Sequence, residues 1–474
     1  MQDAALSQII EEGVDVAHDL TPRRFGYWTG HFVVVASMVG AGILTSSGLM
    51  LKDAGNPVLL LTLWVVGGLL AIAGAITIAE LATRLPAVGG DYLFVRVAFG
   101  PAAGFVVGWS SFILGFVAPI SIIAMLSASY LVAPLEGWLN ANAPLWISSN
   151  SIKIIASGMI LAVTAVHIRT HKESSFFQIA STALKMGMLV LLVVAGLCSG
   201  QGEWVHFSHT SEGTKGLLAI CSVGIIRVSY AYSGWNGAGY LAGEIREPNR
   251  LLPRCLVEGT LSVMLLYVMV NVLYIYAIDP VNFTAMPVED AQRIAEVVSK
   301  KLFGNGIGNV ISILIGLSLI ASVSAYVLTG PRIIFAMARD KMFPTFAGSL
   351  KRGSDLPVLA TLVLGISSAS LVWMGKFLEL LDYASVGLAA VSAIVVASIF
   401  PIRRRVDLTG YRMPLYPLAP ILYILLMGAT VVFTLSQTDG ESFWPAVLSL
   451  VTIVAGYPVG LLMMRLTAKS GNNS

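Results

Sequence analysis

Two glycine-rich runs lie inside long, mostly apolar stretches of the sequence. They are VGAGILTSSG at residues 39–48 and YSGWNGAG at residues 232–239. Glycine costs about 1 kcal/mol per residue in a helix interior, so several glycines in one run weaken a helix. We therefore predict that the backbone unwinds locally at both runs. The alternative is that these small residues only allow two intact helices to pack closely.

The composition places both runs inside a membrane. Of the 474 residues, 56% are apolar and 12% are charged, whereas a soluble domain carries roughly 25% charged residues. These proportions exclude a soluble globular domain, a disordered chain, a disulfide scaffold and a nucleic-acid-binding protein. A membrane-spanning helix needs about 20 mostly apolar residues. Twelve such spans are predicted, at residues 28–51, 57–79, 97–135, 154–168, 174–202, 216–243, 259–278, 302–331, 356–375, 383–402, 413–438 and 442–464.

The lysine and arginine residues predict the orientation, because cytoplasmic loops carry an excess of both. With the N-terminus inside, 20 of the 29 fall on cytoplasmic loops or tails, seven fall outside, and Lys185 and Arg227 lie within spans. We therefore expect cytoplasmic tails at residues 1–24 and 467–474, on either side of a membrane domain at 25–466. The short loops are typical of a prokaryotic inner-membrane protein.

The two glycine-rich runs lie in the first and sixth predicted spans, which are five spans apart. Because five is an odd number, the two halves have opposite orientations, which predicts an inverted repeat of residues 25–202 and 214–402. The last two spans, at 413–464, then follow as additional helices. Unwound backbone at membrane depth must line a cavity or contact a ligand, and interruptions at corresponding positions of two halves indicate a transport site.

The chemistry of two broken helices predicts the kind of ligand. Unpaired N–H groups at an unwound turn, together with the positive end of a helix dipole, suit a carboxylate. We assign this part of the site to the backbone from Val39 to Gly42. Unpaired carbonyls at the other turn, from Tyr230 to Ser233, suit an ammonium group. A cavity that offers both fits a zwitterionic amino acid.

Several motifs resemble one family of membrane carriers. AYSGWN at residues 231–236, followed by GEIREPNRLLP at 243–253, resembles the sixth-helix motif of the amino acid–polyamine–organocation superfamily, and most of all its L-type amino acid transporter branch. Further agreement comes from VGAGI at 39–43, from AEL at 79–81 with GGDY at 89–92, and from TGPRIIFAMARD at 329–340.

The resemblance implies a fold and an activity. The fold is an all-α polytopic membrane protein of twelve transmembrane helices, with the five-plus-five inverted repeat of sodium-coupled leucine transporters and two extra C-terminal helices. The activity is secondary-active transport of neutral L-amino acids by alternating access, through sodium-independent exchange or proton coupling.

The resemblance also implies roles for individual residues. Gly40, Ala41 and Gly42 would contact the substrate carboxylate, although the branch often carries serine at the position of Ala41. Tyr230 would close over the substrate from outside, and Asn236 would lie beside the site. For the aromatic residues of this region, ordinary packing is the alternative. The complete predicted substrate site is Val39, Gly40, Ala41, Gly42, Ile43, Tyr230, Ala231, Tyr232, Ser233 and Asn236.

Lys185 lies inside the fifth predicted span, where a charged side chain is costly and by default indicates function. The alternative is that its ammonium group reaches the inner membrane interface. Sodium-independent members of the superfamily often carry a lysine at this position. The resemblance therefore implies that the Lys185 ammonium occupies the place of a sodium ion and links helices 1, 5 and 8 through backbone carbonyls.

Arg227 lies one helical turn before Tyr230, in the outer half of the sixth span. It could pair with Glu379 or Asp382 as part of an outer gate, attract an anionic substrate, or reach the outer interface. In each case a fixed positive charge on the entry path disfavours cationic substrates. We therefore assign Arg227, Lys185 and Tyr230 to gating or coupling.

Other function classes receive less support from the sequence. The histidines show no metal-ligand spacing, and no nucleotide-binding or catalytic motif is present, so we expect neither an enzyme nor a cofactor. A polyamine or cationic amino acid carrier of the same superfamily remains an alternative, although neither glycine-rich run contains an acidic side chain. A non-transporting amino-acid sensor is a second alternative.

Some carriers of the L-type branch are joined by a disulfide to a single-span glycoprotein. That disulfide uses the loop between helices 3 and 4. Here the corresponding loop, residues 134–153, contains no cysteine. We therefore expect no disulfide-linked heavy chain, and the predicted partners are an amino acid and the lipid bilayer.

Overall fold

The computed structural model describes residues 23, 25–86, 89–169, 174–211, 216–344, 348, 357–405, 410–437 and 442–471. The regular structure of this part is helical, and one isolated parallel bridge joins Phe25 to Ile245. The predicted N-terminal tail lies almost entirely outside the described residues.

The helices account for the apolar runs of the sequence. Other helical segments join some of them. These are a π-helical segment at Ser111–Val117 and 3₁₀ segments at Ala133–Leu135, Trp204–Phe207 and Gly237–Glu244. In chain order the α-helices are α1 Tyr27–Met38, α2 Ala41–Ala54, α3 Pro57–Arg84, α4 Asp91–Phe99, α5 Pro101–Ser110, α6 Ala118–Val132, α7 Glu136–Asn142, α8 Leu145–His167, α9 Ser174–Cys198, α10 Leu217–Ala231, α11 Pro248–Ala277, α12 Pro280–Ala285, α13 Val288–Gln292, α14 Ile294–Thr329, α15 Pro331–Arg339, α16 Val358–Met374, α17 Phe377–Ala397, α18 Ile399–Arg405, α19 Leu418–Ser436 and α20 Phe443–Gly471.

Length and hydropathy identify the membrane helices. Among the described residues, nine helical segments are long and apolar enough to cross a membrane. Three shorter apolar helices accompany them, at Thr182–Cys198, Leu217–Ala231 and Val358–Met374. The chain is thus an all-helical polytopic membrane protein. The total of twelve spans and the inverted repeat are not decided by these lengths and stay predictions.

The first span is interrupted where the sequence predicts. Helix α1 ends at Met38 and α2 begins at Ala41, with Val39 at ψ 85° and Gly40 at φ −132°, ψ −144° between them. These angles lie outside the helical region, so the hydrogen-bond ladder stops there.

The sixth span is interrupted as well. Helix α10 ends at Ala231, and Gly234 adopts a left-handed φ of 95° before the chain continues as a 3₁₀ turn. A side chain at that φ would be strained, so glycine suits the position.

Several helices extend beyond the runs predicted for them. Helix α8 begins at Leu145, whereas the charge-free run predicts a start at residue 154. The difference arises at Lys153, whose ammonium lies 5.9 Å from the ring centre of Trp373, because a long lysine stem can lie in the outer turn of a helix while its charge stays at the interface. At the other end, α20 continues to Gly471, beyond the predicted boundary at residue 466.

Burial shows which helices are central. In the most apolar part of the first span, 94% of the residues are buried by protein, against 17% in the last span. The apolar faces of the last span are thus left for lipid. The interrupted first span lies in the middle of the bundle, where unwound backbone is protected from hydrocarbon.

Candidate functional site

A small cavity adjoins both interrupted spans. Apolar contacts come from Gly115, Phe116 and Leu388, and backbone from Gly234 and Gly237. Eight of the thirteen lining residues have polar side chains, namely Ser37, Asp91, Ser111, Ser233, Asn236, Tyr240, Tyr326 and Thr329.

The two interruptions touch each other. A Cβ atom on Gly42 would lie 2.2 Å from Cα of Ala231, and one on Gly234 would lie 2.7 Å from the carbonyl carbon of Ser37. Real Cβ atoms do not approach other atoms so closely, so both contacts require glycine. Unwinding and close packing through small residues, which the sequence presents as alternatives, therefore occur together in this bundle.

The predicted substrate residues divide into two groups. Ser233 and Asn236 line the cavity. The others are buried around the contact between the two interruptions, namely Val39, Gly40, Ala41, Gly42, Ile43, Tyr230, Ala231 and Tyr232. Tyr232 is held by packing, since its hydroxyl donates to the carbonyl oxygen of Trp64 at 3.0 Å and its ring packs against Trp64 and Tyr267.

Tyr267, on α11, connects the two interruptions. Its hydroxyl oxygen lies 2.6 Å from the carbonyl oxygen of Met38 and 3.0 Å from that of Ala231. One hydroxyl hydrogen serves only one of these acceptors fully, so the other carbonyl keeps capacity for a further donor. The sequence gives no local signal for this residue, because it is one of several tyrosines on an apolar helix.

Lys185 lies on α9 and is 1% exposed. Its ammonium donates to the carbonyl oxygens of Val39 at 2.5 Å and Ala36 at 3.3 Å, and to Ser322 Oγ at 2.7 Å. Ser322 Oγ also donates to the carbonyl oxygen of Val39 at 2.7 Å. The lysine thus connects the end of α1 with α14 and satisfies carbonyls that the interruption leaves without helical partners.

Tyr326 lines the cavity and is a second residue without a local sequence signal. It lies near the end of α14, and its hydroxyl donates to the carbonyl oxygen of Ser37 at 3.0 Å. Its ring packs edge-on against Phe116. The hydroxyl therefore lies at the cavity end of α1, and Ser233 lines the same cavity.

Asp91 brings a carboxylate to the cavity, which the glycine-rich runs by themselves do not. It begins α4 and is buried. Its oxygens accept from Tyr240 Oη at 2.7 Å and from Asn236 Nδ2 at 3.1 and 3.2 Å. Burial raises the pKa of this carboxyl to about 6, against the opposing effect of these hydrogen bonds. The GGDY motif contains the residue, but only the fold places it in the cavity.

Arg227 pairs with two carboxylates in the predicted outer half. Its Nη1 lies 3.1 Å from Asp53 Oδ2, and its Nε lies 4.0 Å from Asp382 Oδ1. Asp382 also accepts from Ser442 Oγ at 2.6 Å. Of the two partners considered from the sequence, Asp382 is near, whereas Glu379 bonds the backbone N–H of Lys376 at the start of α17. Asp53 is an additional partner.

Comparison with known protein families identifies the chain. A family model described as amino acid permease matches residues 25–456. The chain belongs to the amino acid permease family. The predicted resemblance to the amino acid–polyamine–organocation superfamily, and to its L-type branch, is confirmed.

Individual relatives agree with this assignment. The serine/threonine exchanger SteT of Bacillus subtilis (strain 168) is 28% identical over 437 residues, which cover 90% of this chain and 93% of that protein. The human large neutral amino acids transporter small subunit 2 is 26% identical over 420 residues, covering 87% of this chain and 76% of that protein. The mouse b(0,+)-type amino acid transporter 1 is 26% identical over 442 residues, covering 92% and 86%.

The permease is therefore a multi-pass membrane protein that functions in amino acid transport. Among its described residues no group of three histidine, cysteine, aspartate or glutamate side chains is arranged to hold a metal ion. The polar groups that the cavity offers are hydroxyls, one amide, one carboxylate and backbone.

Proposed function

We propose that this permease carries neutral L-amino acids without sodium, by exchange or with a proton, through alternating access. Substrate would bind where the two interruptions meet, with its carboxylate on the N–H groups of residues 39–42 and its ammonium on the carbonyls of residues 230–233. Both termini are proposed to lie in the cytoplasm, and the protein to lie in a prokaryotic inner membrane and to act without a disulfide-linked heavy chain.

The observation that carries this proposal is the contact between the two interruptions. The first N–H groups of α2 have no partner within the helix, and the positive end of its dipole lies at the same place. Because Gly42 touches Ala231, these donors and the carbonyls at the end of α10 lie within one small region. We propose that a single zwitterion, entering from the cavity that reaches Ser37 and Ser233, contacts both sets of groups when the two interruptions separate around it.

Lys185 supports transport without sodium. Its ammonium already donates to two carbonyls of α1 and to a hydroxyl of α14. Carbonyl and hydroxyl oxygens are also the ligands that a sodium ion would need. With these oxygens occupied by a fixed cation, we expect no requirement for a mobile one.

A cationic amino acid or polyamine carrier is the competing proposal, and Asp91 is the observation that favours it. A carboxylate in the cavity could pair with a positively charged substrate side chain. Two observations favour neutral substrates instead. Tyr240 and Asn236 already donate to this carboxylate, and Arg227 places a positive charge in the predicted outer half.

Counterflow in liposomes tests the proposal. The purified single chain is reconstituted in liposomes loaded with unlabelled alanine, and uptake of labelled alanine is followed in sodium chloride and in choline chloride, with and without a pH gradient. We expect the label to accumulate transiently at equal rates in both salts, and unlabelled neutral amino acids to compete.

Each of the following results would contradict one part of the proposal. Uptake that requires sodium refutes the role of Lys185. Preferential competition by lysine or putrescine favours the cationic carrier. Binding of amino acids without counterflow favours a sensor, and activity only after a second subunit is added refutes the single-chain assignment.

A further inference from the structure

The carboxylate of Asp91 lies in the cavity that adjoins the proposed site for the charged ends of an amino acid. It belongs to α4, whereas Asn236 and Tyr240 follow the interruption of the sixth span. Asn236 lies three residues beyond Ser233, which bounds the proposed ammonium site and also lines the cavity. In the proposed function, a substrate with its ammonium at residues 230–233 would direct its side chain into this part of the cavity.

The geometry determines which end of the Asn236 amide faces Asp91. The amide nitrogen lies 3.1 Å from Oδ1 and 3.2 Å from Oδ2 of the carboxylate. An ionised carboxylate only accepts hydrogen bonds, so it holds the NH₂ group toward itself. The amide oxygen then points away from the carboxylate, and no donor among the described residues bonds to it.

We infer that Asn236, oriented by Asp91, forms a subsite that accepts a hydrogen bond from the side-chain hydroxyl of the transported amino acid, so that serine and threonine are preferred over apolar amino acids of equal size. Asp91 is the positioning residue and Asn236 contacts the substrate. This inference rests on the proposed function and names the substrate class within it. The hydroxyl and amide groups of the lining suit a small hydroxylated side chain.

Protonation of Asp91 would change the subsite. A protonated carboxyl can donate to the amide oxygen of Asn236, so the amide would no longer be held in one orientation. Since burial raises the pKa of Asp91 to about 6, the carboxyl is mainly ionised at pH 7.5 and mainly protonated at pH 5.5. The other titratable groups near it are the phenols Tyr240 and Tyr423, which stay neutral over this range.

The test compares threonine with valine, which has a methyl group in place of the hydroxyl. For the wild-type protein in liposomes we expect Vmax/KM for threonine to exceed that for valine by about threefold to tenfold, the usual net value of one hydrogen bond. Asp91→Asn can satisfy either orientation of the Asn236 amide, so the ratio should fall toward one while valine is still transported. Asn236→Leu, which removes the acceptor, should lower Vmax/KM for threonine more than Vmax/KM for valine.

Asp340→Asn is the matched control. Asp340 is also a carboxylate that accepts from a tyrosine, Tyr92, and it pairs with Arg96, but it does not contact Asn236. This variant should keep the wild-type ratio. The pH is then set to the same value inside and outside the liposomes. As that pH falls from 7.5 to 5.5, the wild-type ratio of Vmax/KM for threonine to Vmax/KM for valine should decrease. Asp91→Asn should abolish that decrease.

A wild-type protein that does not favour threonine, or an Asp91→Asn variant that keeps the wild-type ratio, overturns the inference. Stronger competition by lysine than by threonine also overturns it, because the carboxylate would then bind substrate directly. If Asp91→Asn does not fold, the inference is tested by Asn236→Leu and by the wild-type ratio measured at several pH values. Transport of neither amino acid by the wild type would contradict the proposed function itself.

Discussion

At the scale of single residues, buried polar groups on different helices hold the site together. Lys185, Tyr267 and Tyr326 lie on three different helices, and each donates to a backbone carbonyl at the end of α1. An unpaired buried carbonyl would cost about 1–3 kcal/mol. These side chains therefore stabilise an interruption that would otherwise be unfavourable at this depth.

Replacing Lys185 tests this role. Lys185→Met keeps the length of the side chain but removes the charged donor from the carbonyls of Val39 and Ala36. Because hydrogen bonds to charged groups are worth about 1.5–3 kcal/mol, we expect the rate of counterflow to fall by about tenfold or more. Lys153→Met, which removes a lysine that lies over the ring of Trp373, is the control and should transport at the wild-type rate. An undiminished rate in Lys185→Met would refute the role.

The same residues show what sequence reasoning could and could not find. Lys185 is conspicuous because a charge interrupts an apolar span, and the glycines are conspicuous by their spacing. Tyr267 and Asp91 are ordinary residues in the sequence, and their roles depend on contacts with residues more than a hundred positions away or on another helix. Asp53 was likewise missed as the partner of Arg227, because the two are 174 positions apart.

At the scale of helices, the two interruptions are one structural unit. The end of α1 contacts the turn after α10 through Ser37 and Gly234, and α2 contacts the end of α10 through Gly42 and Ala231. A movement of either broken span must therefore disturb the other. Glycine spacing predicts where the helices break, but it does not predict that the two breaks touch, since that depends on how the spans pack.

Gly42→Ala tests the contact between the helices. The added Cβ would lie 2.2 Å from Cα of Ala231, a backbone atom that cannot move away alone. We expect counterflow to fall at least tenfold, and purified protein to unfold at a lower temperature. Gly428→Ala is the matched control, because the same methyl group on α19 meets nothing within 4 Å and alanine favours a helix. It should keep wild-type transport, and an equally active Gly42→Ala would refute the contact.

At the scale of the whole molecule, the two sides of the interruptions differ. On the predicted outer side, Arg227 joins α10 to Asp53 on α2 and to Asp382 on α17, and Tyr230 is 5% exposed. On the other side lies the polar cavity with Asp91 and Asn236. In the described conformation, ion pairs therefore close one side of the interruptions and a cavity lies on the other side. An alternating-access carrier has this arrangement in one of its states.

The account depends on the place where an amino acid binds, and a structure of the permease with a transported amino acid bound tests it most directly. We predict that the carboxylate of the ligand lies against the backbone N–H groups of residues 39–42 and its ammonium against the carbonyls of residues 230–233. An amino acid bound elsewhere in a protein that transports it, or helices continuous through Gly40 and Gly234 in that complex, would contradict the account.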